Sequence, residues 1–170
     1  MELLEPEGAG AVLIYDDAVW MMVRNPLYPG SGGKKELEFP GGKFESPKDS
    51  GYEECVMREV LEEAGVVLRP SQLHTYVMSK SPKNKGVCTY VVRLSGEQME
   101  ELCNTAAALR KYAGDTKVEP MSGIDFVPVP LADLCRDPTQ FGGLPVRKFN
   151  QIMLRLAIEA GHLRPSPKGK

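Results

Sequence analysis

The sequence predicts an α/β domain. Apolar, β-prone runs at 8–15, 18–24, 72–80, 86–94 and 124–129 alternate with three segments of helical periodicity, at 51–64, 97–112 and 149–160. The 170 residues suffice for a sizeable core, and the length favours one domain, placed at 1–162.

Each element has a local reason. Asp16-Asp17 between the first two runs reads as the turn of a hairpin. A Gly- and Pro-rich loop follows over 25–35. Ser50-Gly51-Tyr52-Glu53 has capping-box spacing, so a helix is expected to begin just after Ser50 and to stop at Gly65, the left-handed residue that ends many helices. Val56, Met57, Val60, Leu61 and Ala64 share the arc that should face the core. Ser81 to Lys85 forms the loop between the third and fourth strands. Met99, Leu102, Cys103 and Ala106 give the 97–112 helix an apolar stripe. Phe149, Ile152, Met153, Leu156 and Ala160 line one face of the last helix, with Gly161 as its cap. The tail from Leu163 to Lys170 is expected to be disordered.

Composition excludes several classes. A net charge of −2 with 26% charged residues shows no global basic excess for nucleic-acid wrapping or an anionic membrane. Acids at Glu2, Glu5, Glu7, Asp16 and Asp17 are wrong for a signal peptide, and no apolar run reaches a membrane span. Cys55, Cys88, Cys103 and Cys135 lack metal-ligand spacing and read as reduced thiols of an intracellular, cytoplasmic protein.

The chemistry concentrates in Arg58-Glu59-Val60-Leu61-Glu62-Glu63-Ala64-Gly65-Val66. Glu59, Glu62 and Glu63 fall on one helical arc, where uncompensated like charges repel. Mg²⁺ or Mn²⁺, which prefer oxygen ligands, would relieve that repulsion. The bland alternative is a solvated face with an Arg58–Glu62 pair worth a few tenths of a kcal/mol. Upstream lies Leu37-Glu38-Phe39-Pro40-Gly41-Gly42-Lys43-Phe44-Glu45, whose paired glycines allow close backbone approach to a ligand.

These stretches together resemble the Nudix hydrolase box, G-x5-E-x7-R-E-U-x-E-E-x-G-U with U a bulky aliphatic. The second half matches in full at Arg58, Glu59, Val60, Glu62, Glu63, Gly65 and Val66. The first half departs: the loop after Gly42 is two residues longer, and the position of its glutamate falls on Ser50, with Asp49 beside it. The resemblance implies an α/β/α sandwich around a central mixed sheet, in which the 97–112 helix is an insertion. It also implies a metal-dependent pyrophosphohydrolase. Its metal ligands would be Glu59, Glu62, Glu63 and a backbone carbonyl near Gly42; Arg58, Glu62 and Glu63 would be catalytic, together with a base that could be Glu119 arriving from a loop.

Substrate contacts are expected from Arg24, Lys43 and Lys80, the last within a basic loop with Lys83 and Lys85. The nucleobase could stack on Trp20, Tyr28, Phe39 or Tyr90. The Phe39 to Lys43 stretch looks like that of MutT-type enzymes, which cleanse oxidised nucleoside triphosphates. Pro82 lies at the distance past Val66 seen in ADP-ribose pyrophosphatases. The reading therefore leans to nucleoside triphosphates. Its alternatives are ADP-ribose or a nucleotide sugar, a capped or triphosphorylated RNA 5′ end, and a Nudix-like module that binds a nucleotide or a protein without turnover. Oligomeric state stays open.

Overall fold

The computed structural model describes residues 4–113, 115 and 117–167. One mixed sheet of seven strands carries the fold. β1 (Pro6–Tyr15) lies at its centre, parallel to β6 (Gly86–Arg93) and antiparallel to β2 (Ala18–Arg24) and the short β4 (Gly41–Lys43). The path is completed by β3 (Leu37–Glu38) and β7 (Gly123–Pro130) beside β2, and by β5 (Tyr76–Lys80) beside β6.

The period of two along β1 separates two cores. Ala9, Ala11 and Leu13 face α1 (Tyr52–Ala64) and α2 (Gly96–Tyr112), packing with Val56, Val60, Leu102 and Ala106. Val12 and Ile14 face α3 (Leu131–Arg136) and α4 (Lys148–Glu159), packing with Leu134, Met153 and Leu154. Helices thus cover both faces of the mixed sheet, the α/β/α arrangement expected. Among the described residues no helix is long and apolar enough to cross a membrane.

The predicted strands and helices form, although the strand expected over 72–80 begins only at Tyr76, after a 3-10 turn at Pro70–Gln72. Asp16 and Asp17 both take positive φ (52° and 61°), which matches the twist of the β1–β2 hairpin. Gly65 ends α1 at φ 68°. Four further features depart from expectation. Gly51, not Ser50, caps α1; the Ser50 hydroxyl and N–H go instead to the Glu54 carboxylate at 2.5 and 3.2 Å, one residue beyond the capping-box position. Leu61, expected in the core, is 51% exposed, because the α1 stripe runs through Cys55, Val56, Val60 and Ala64. On α2, Cys103 is exposed and Leu109 takes its place in the stripe. The buried face of α4 is Asn150, Met153, Leu154 and Ala157, whereas Ile152 is 46% exposed. Apolar residues occupy so much of the α4 circumference that periodicity alone does not choose its inward face.

Short elements escaped the sequence pattern: β3, β4, α3, and the hairpin of β8 (Gln140–Phe141) and β9 (Leu144–Pro145). Within the tail from 163, Leu163 is buried and the Ser166 N–H donates to Asp17 Oδ1 at 2.9 Å, while 168–170 lie outside the described residues.

The orientation of α4 is testable. Leu154→Ala removes a fully buried side chain and is expected to lower the unfolding free energy by about 2–5 kcal/mol, against less than about 1 kcal/mol for Ile152→Ala. Urea unfolding of both variants reads the difference; equal losses would return α4 to the face that the sequence pattern suggested.

Candidate active site

The site forms where β4 passes between β1 and α1. Gly41 lies so close to β1 that an added Cβ would fall 2.7 Å from the Gly10 Cα and 2.8 Å from the Ala9 carbonyl oxygen. A Cβ on Gly42 would run into the Glu59 carboxylate. The glycine pair is therefore required by close approach on both sides. With the chain this near, the Gly41 N–H donates to Glu63 Oε1 at 2.8 Å.

Arg58 organises the acids. Its Nε and Nη2 donate to the two oxygens of Asp49 at 3.0 and 2.7 Å, a bidentate fork. Nη2 also donates to the Lys43 carbonyl at 3.1 Å, while Nη1 reaches Glu59 at 2.9 Å and Glu62 at 3.3 Å. The Asp49 side chain is only 1% exposed and also accepts the Glu45 N–H at 2.8 Å. The Arg58 guanidinium holds its carboxyl well below the usual range, at about 2. Asp49, not Ser50, thus holds the charge that partners Arg58. Ser50 is exposed and bonded to Glu54.

Electrostatics single out the acids. Burial pushes Glu63 up to about 8, with Glu59, Glu38 and Glu62 adding to the rise and the Gly41 N–H opposing it. Burial also raises Glu59, against the lowering pull of Arg58. Glu62 is exposed at the rim. Cys55, one turn before Glu59, is fully buried with its thiol pushed up to about 12, so it serves as a small packing residue against the Gly42 carbonyl, 3.8 Å away.

All three acids line a cleft of about 680 Å³. Their oxygens are the donors a hard divalent cation prefers, and a cation would offset the charge that burial disfavours, so the residues fit Mg²⁺ or Mn²⁺. The acids do not converge: among the described residues no three His, Cys, Asp or Glu side chains are grouped to hold an ion. Arg58 engages Glu59 and Glu62, and Gly41 engages Glu63, so a metal shell requires these side chains to turn.

The cleft brings together Gly42, Glu59, Glu62 and Glu63 with Arg24, Phe39 and Lys43, all singled out from the sequence. It does not include Lys80, whose loop contributes Ser81 and Pro82 instead. Glu119 lines a separate cavity of about 250 Å³ with Leu109, Tyr112 and Met121. The position expected of a base on the loop before β7 is therefore turned away from the acids. Of the four stacking candidates, Tyr28 and Phe39 line the cleft, whereas Trp20 and Tyr90 pack with the α1–α2 core.

Sequence reasoning missed several lining residues. Glu38 Oε2 is shared by Arg24 at 3.3 Å and Arg147 at 3.2 Å, so one carboxylate steadies two guanidiniums from distant parts of the chain. Arg24 also donates to the Gly30 carbonyl at 2.7 Å. Glu7, Thr89 and Asn150 each place a buried side-chain oxygen in this cleft lining without a hydrogen-bond partner among the described residues. A polar residue at a helical core position, as at Asn150, was the one available signal.

Comparison with known proteins agrees with this geometry. The family model described as NUDIX domain matches residues 5–128. No curated protein matches the sequence. Among solved structures, a NUDIX hydrolase from Nitrosomonas europaea superimposes with a TM-score of 0.52 at 14% identity, covering 95% of this chain and 93% of that one. MutT from Aliivibrio salmonicida or Vibrio cholerae gives 0.53 at 15% identity, with coverages of 89% and 94%. The NUDIX domain of Shewanella oneidensis NrtR, complexed with ADP ribose, gives 0.53 at 20% identity, with coverages of 94% and 89%. At such identities the likeness is one of fold.

Asp49 carries a stability prediction. Because its folded pKa, about 2, lies below the ordinary aspartate value of 3.8, ionised Asp49 stabilises the fold above pH 4. The contribution is roughly 2 kcal/mol and is lost as pH falls from about 4 through about 2. Asp49→Asn is expected to lower stability by that order at pH 7, with the gap to wild type closing toward pH 2. Denaturant unfolding across this range measures it, and a pH-independent gap would disprove the assignment.

Proposed function

The chain belongs to the NUDIX family, and on that premise we propose that it is a divalent-metal-dependent pyrophosphohydrolase. It cleaves the diphosphate linkage of a nucleoside diphosphate joined to a further group, with nucleoside triphosphates, oxidised ones included, as the preferred class. One observation carries this reading. A single cleft holds Glu59, Glu62 and Glu63 together with Arg24, Lys43 and Arg147, an acidic wall for cations and basic groups for phosphates. The likeness of the Phe39 to Lys43 stretch to MutT-type enzymes supports the triphosphate preference.

Glu59, Glu62, Glu63 and the Gly42 carbonyl would hold Mg²⁺ or Mn²⁺, which supplies charge neutralisation at the phosphates and a water of lowered pKa. Arg58 orients Glu59 while its other edge is anchored on buried Asp49. Arg24 and Arg147, steadied by Glu38, bind phosphate oxygens as planar forks, and Lys43 binds as a point charge. Glu62, at the solvent rim, accepts the proton of the attacking water. Lys80 and Glu119, outside the cleft, take no part.

A second reading, an ADP-ribose-type substrate, is favoured by Pro82, which lines the cleft. The NrtR domain with ADP ribose shares the fold. A panel of nucleoside triphosphates, oxidised triphosphates, ADP-ribose and capped RNA, assayed with Mg²⁺ or Mn²⁺, ranks these possibilities. Wild type is expected to release pyrophosphate or phosphate from a triphosphate fastest, and chelation to abolish turnover. Glu62→Gln and Glu63→Gln are each expected to lower kcat by about 100-fold or more with circular dichroism unchanged, whereas Glu119→Gln stays within about twofold. Wild-type rates in both helix variants would refute the metal assignment. Nucleotide binding without turnover of any panel member would leave a binding module in place of an enzyme.

A further inference from the structure

The sheet ends at β5, and the ladder to β6 fixes which way the β5 backbone points. Tyr76 faces Tyr90 and Lys80 faces Gly86 in antiparallel register. The Val91 N–H donates to the Thr75 carbonyl at 2.9 Å, and the Ser81 N–H donates to the Lys85 carbonyl at 2.8 Å. Bonded and non-bonded pairs alternate along such a ladder. Thr75, Val77, Ser79 and Ser81 therefore spend their backbone groups on β6. Those of Tyr76, Met78 and Lys80 point the other way, where among the described residues no strand pairs with β5.

The side chains on this edge are apolar as well. Tyr76 and Met78 share one face of the strand and are 52% and 41% exposed. The Tyr76 ring lies against that of Tyr90, with 5.8 Å between centroids. On the other face Val77 is buried with the α4 core. Open edges recruit further strands, and proteins guard them with proline, charge or a covering element. Another edge of this sheet is so guarded: β7, which among the described residues pairs only with β2, carries Pro128 and Pro130. β5 has no proline and a single charge, Lys80.

We propose that β5 is a homodimer interface, at which the same strand of a second copy adds antiparallel and joins the two sheets. Self-complementarity selects a second copy over another extended chain. The outward groups at 76, 78 and 80 are symmetric about Met78. A two-fold axis there bonds Met78 to Met78 of the second copy and Tyr76 to Lys80 of the second copy, so every outward group is paired. The same register keeps the two lysines apart and sets each one across from a tyrosine ring, a cation–π pair in place of a like-charge clash. The methionines meet on the axis with each Tyr76 diagonal to them, which covers the exposed apolar strip. β5 runs directly into Ser81 and Pro82, so one wall of each cleft adjoins the interface. An interface of one strand edge is small, and the dimer is correspondingly weak, with Kd on the order of 10 μM.

Sedimentation equilibrium of the full chain from about 1 to about 200 μM tests this, and wild type is expected to pass from monomer to dimer mass across the range. Met78→Pro removes an outward N–H that β6 does not use, so it blocks the edge and spares the ladder. Met78→Lys sets two like charges against each other on the axis. Each is expected to weaken association by about tenfold or more. Circular dichroism checks folding, and Met78→Lys decides if the proline variant does not fold. The register is read by cross-linking with diamide in a Cys103→Ser background. Directly bonded antiparallel partners have Cα atoms about 5.5 Å apart, within disulfide reach, so Met78→Cys is expected to cross-link about tenfold faster than Tyr76→Cys. A monomer throughout the range, association unchanged in Met78→Lys, or equal cross-linking at both positions overturns the proposal. None of these readouts needs turnover, so the outcome is independent of the hydrolase reading.

Discussion

Two stretches of backbone, β1 at Gly8 and Gly10 and β4 at Gly41 and Gly42, meet with no space for a side chain between them. A Cβ on Gly8 would lie 2.6 Å from the Gly42 carbonyl oxygen, and one on Gly10 would lie 3.0 Å from that of Pro40. This close approach stitches β4 to the middle of the sheet, and on its other side it brings the Gly41 N–H within reach of α1. Without it, the α1 carboxylates would face solvent as an ordinary acidic helix. With it, they face a strand whose neighbours in the ladder lead across to the opposite side of the sheet.

Arg58 makes that crowding tolerable. Glu59 and Glu63 are drawn out of water near one another, an arrangement that Coulomb repulsion and desolvation both oppose. A guanidinium shared among Asp49, Glu59 and Glu62 offsets part of the repulsion and fixes the direction in which Glu59 points. Asp49 is the anchor. It is sequestered from solvent and doubly bonded to the fork, so the cation keeps its place even if Glu59 and Glu62 turn toward a metal. A lengthened loop therefore need not weaken the site, provided it returns an acid to the same fork.

The sequence made the acidic helix legible because its spacing encodes one helical face, and made the β1–β2 hairpin legible because two apolar, β-prone runs around a two-residue turn suffice to specify it. It could not show which residue of the loop meets Arg58. Ser50 and Asp49 are adjacent in sequence, and only the fold of the loop, with the Asp49 N–H bonded back to the Glu45 carbonyl at 2.8 Å, turns Asp49 inward. Glu119 was assigned by its position before β7, yet chain position says nothing about which of two cavities a loop will enter. Lys80 and Pro82 lie two residues apart, and the turn at Ser81 sends one into solvent and the other into the cleft. Arg147 was illegible for a similar reason, since its partner Glu38 lies more than a hundred residues away on β3.

The two ends of the cleft differ in what holds them. At the acid end every carboxylate already has a donor, so a cation must displace protein contacts and binding there is an exchange. At the Thr89 and Asn150 end the side-chain oxygens lack partners but are closed off from solvent, so contact there also requires the lining to move. Between them, Arg24 and Arg147 share one carboxylate and leave most of their donors free for phosphate. Both ends therefore reorganise on binding, the acid end by exchanging donors and the other by opening. Only the two guanidiniums between them have donors to spare, so an anion would meet them before the acid wall rearranges around Glu59, Glu62 and Glu63.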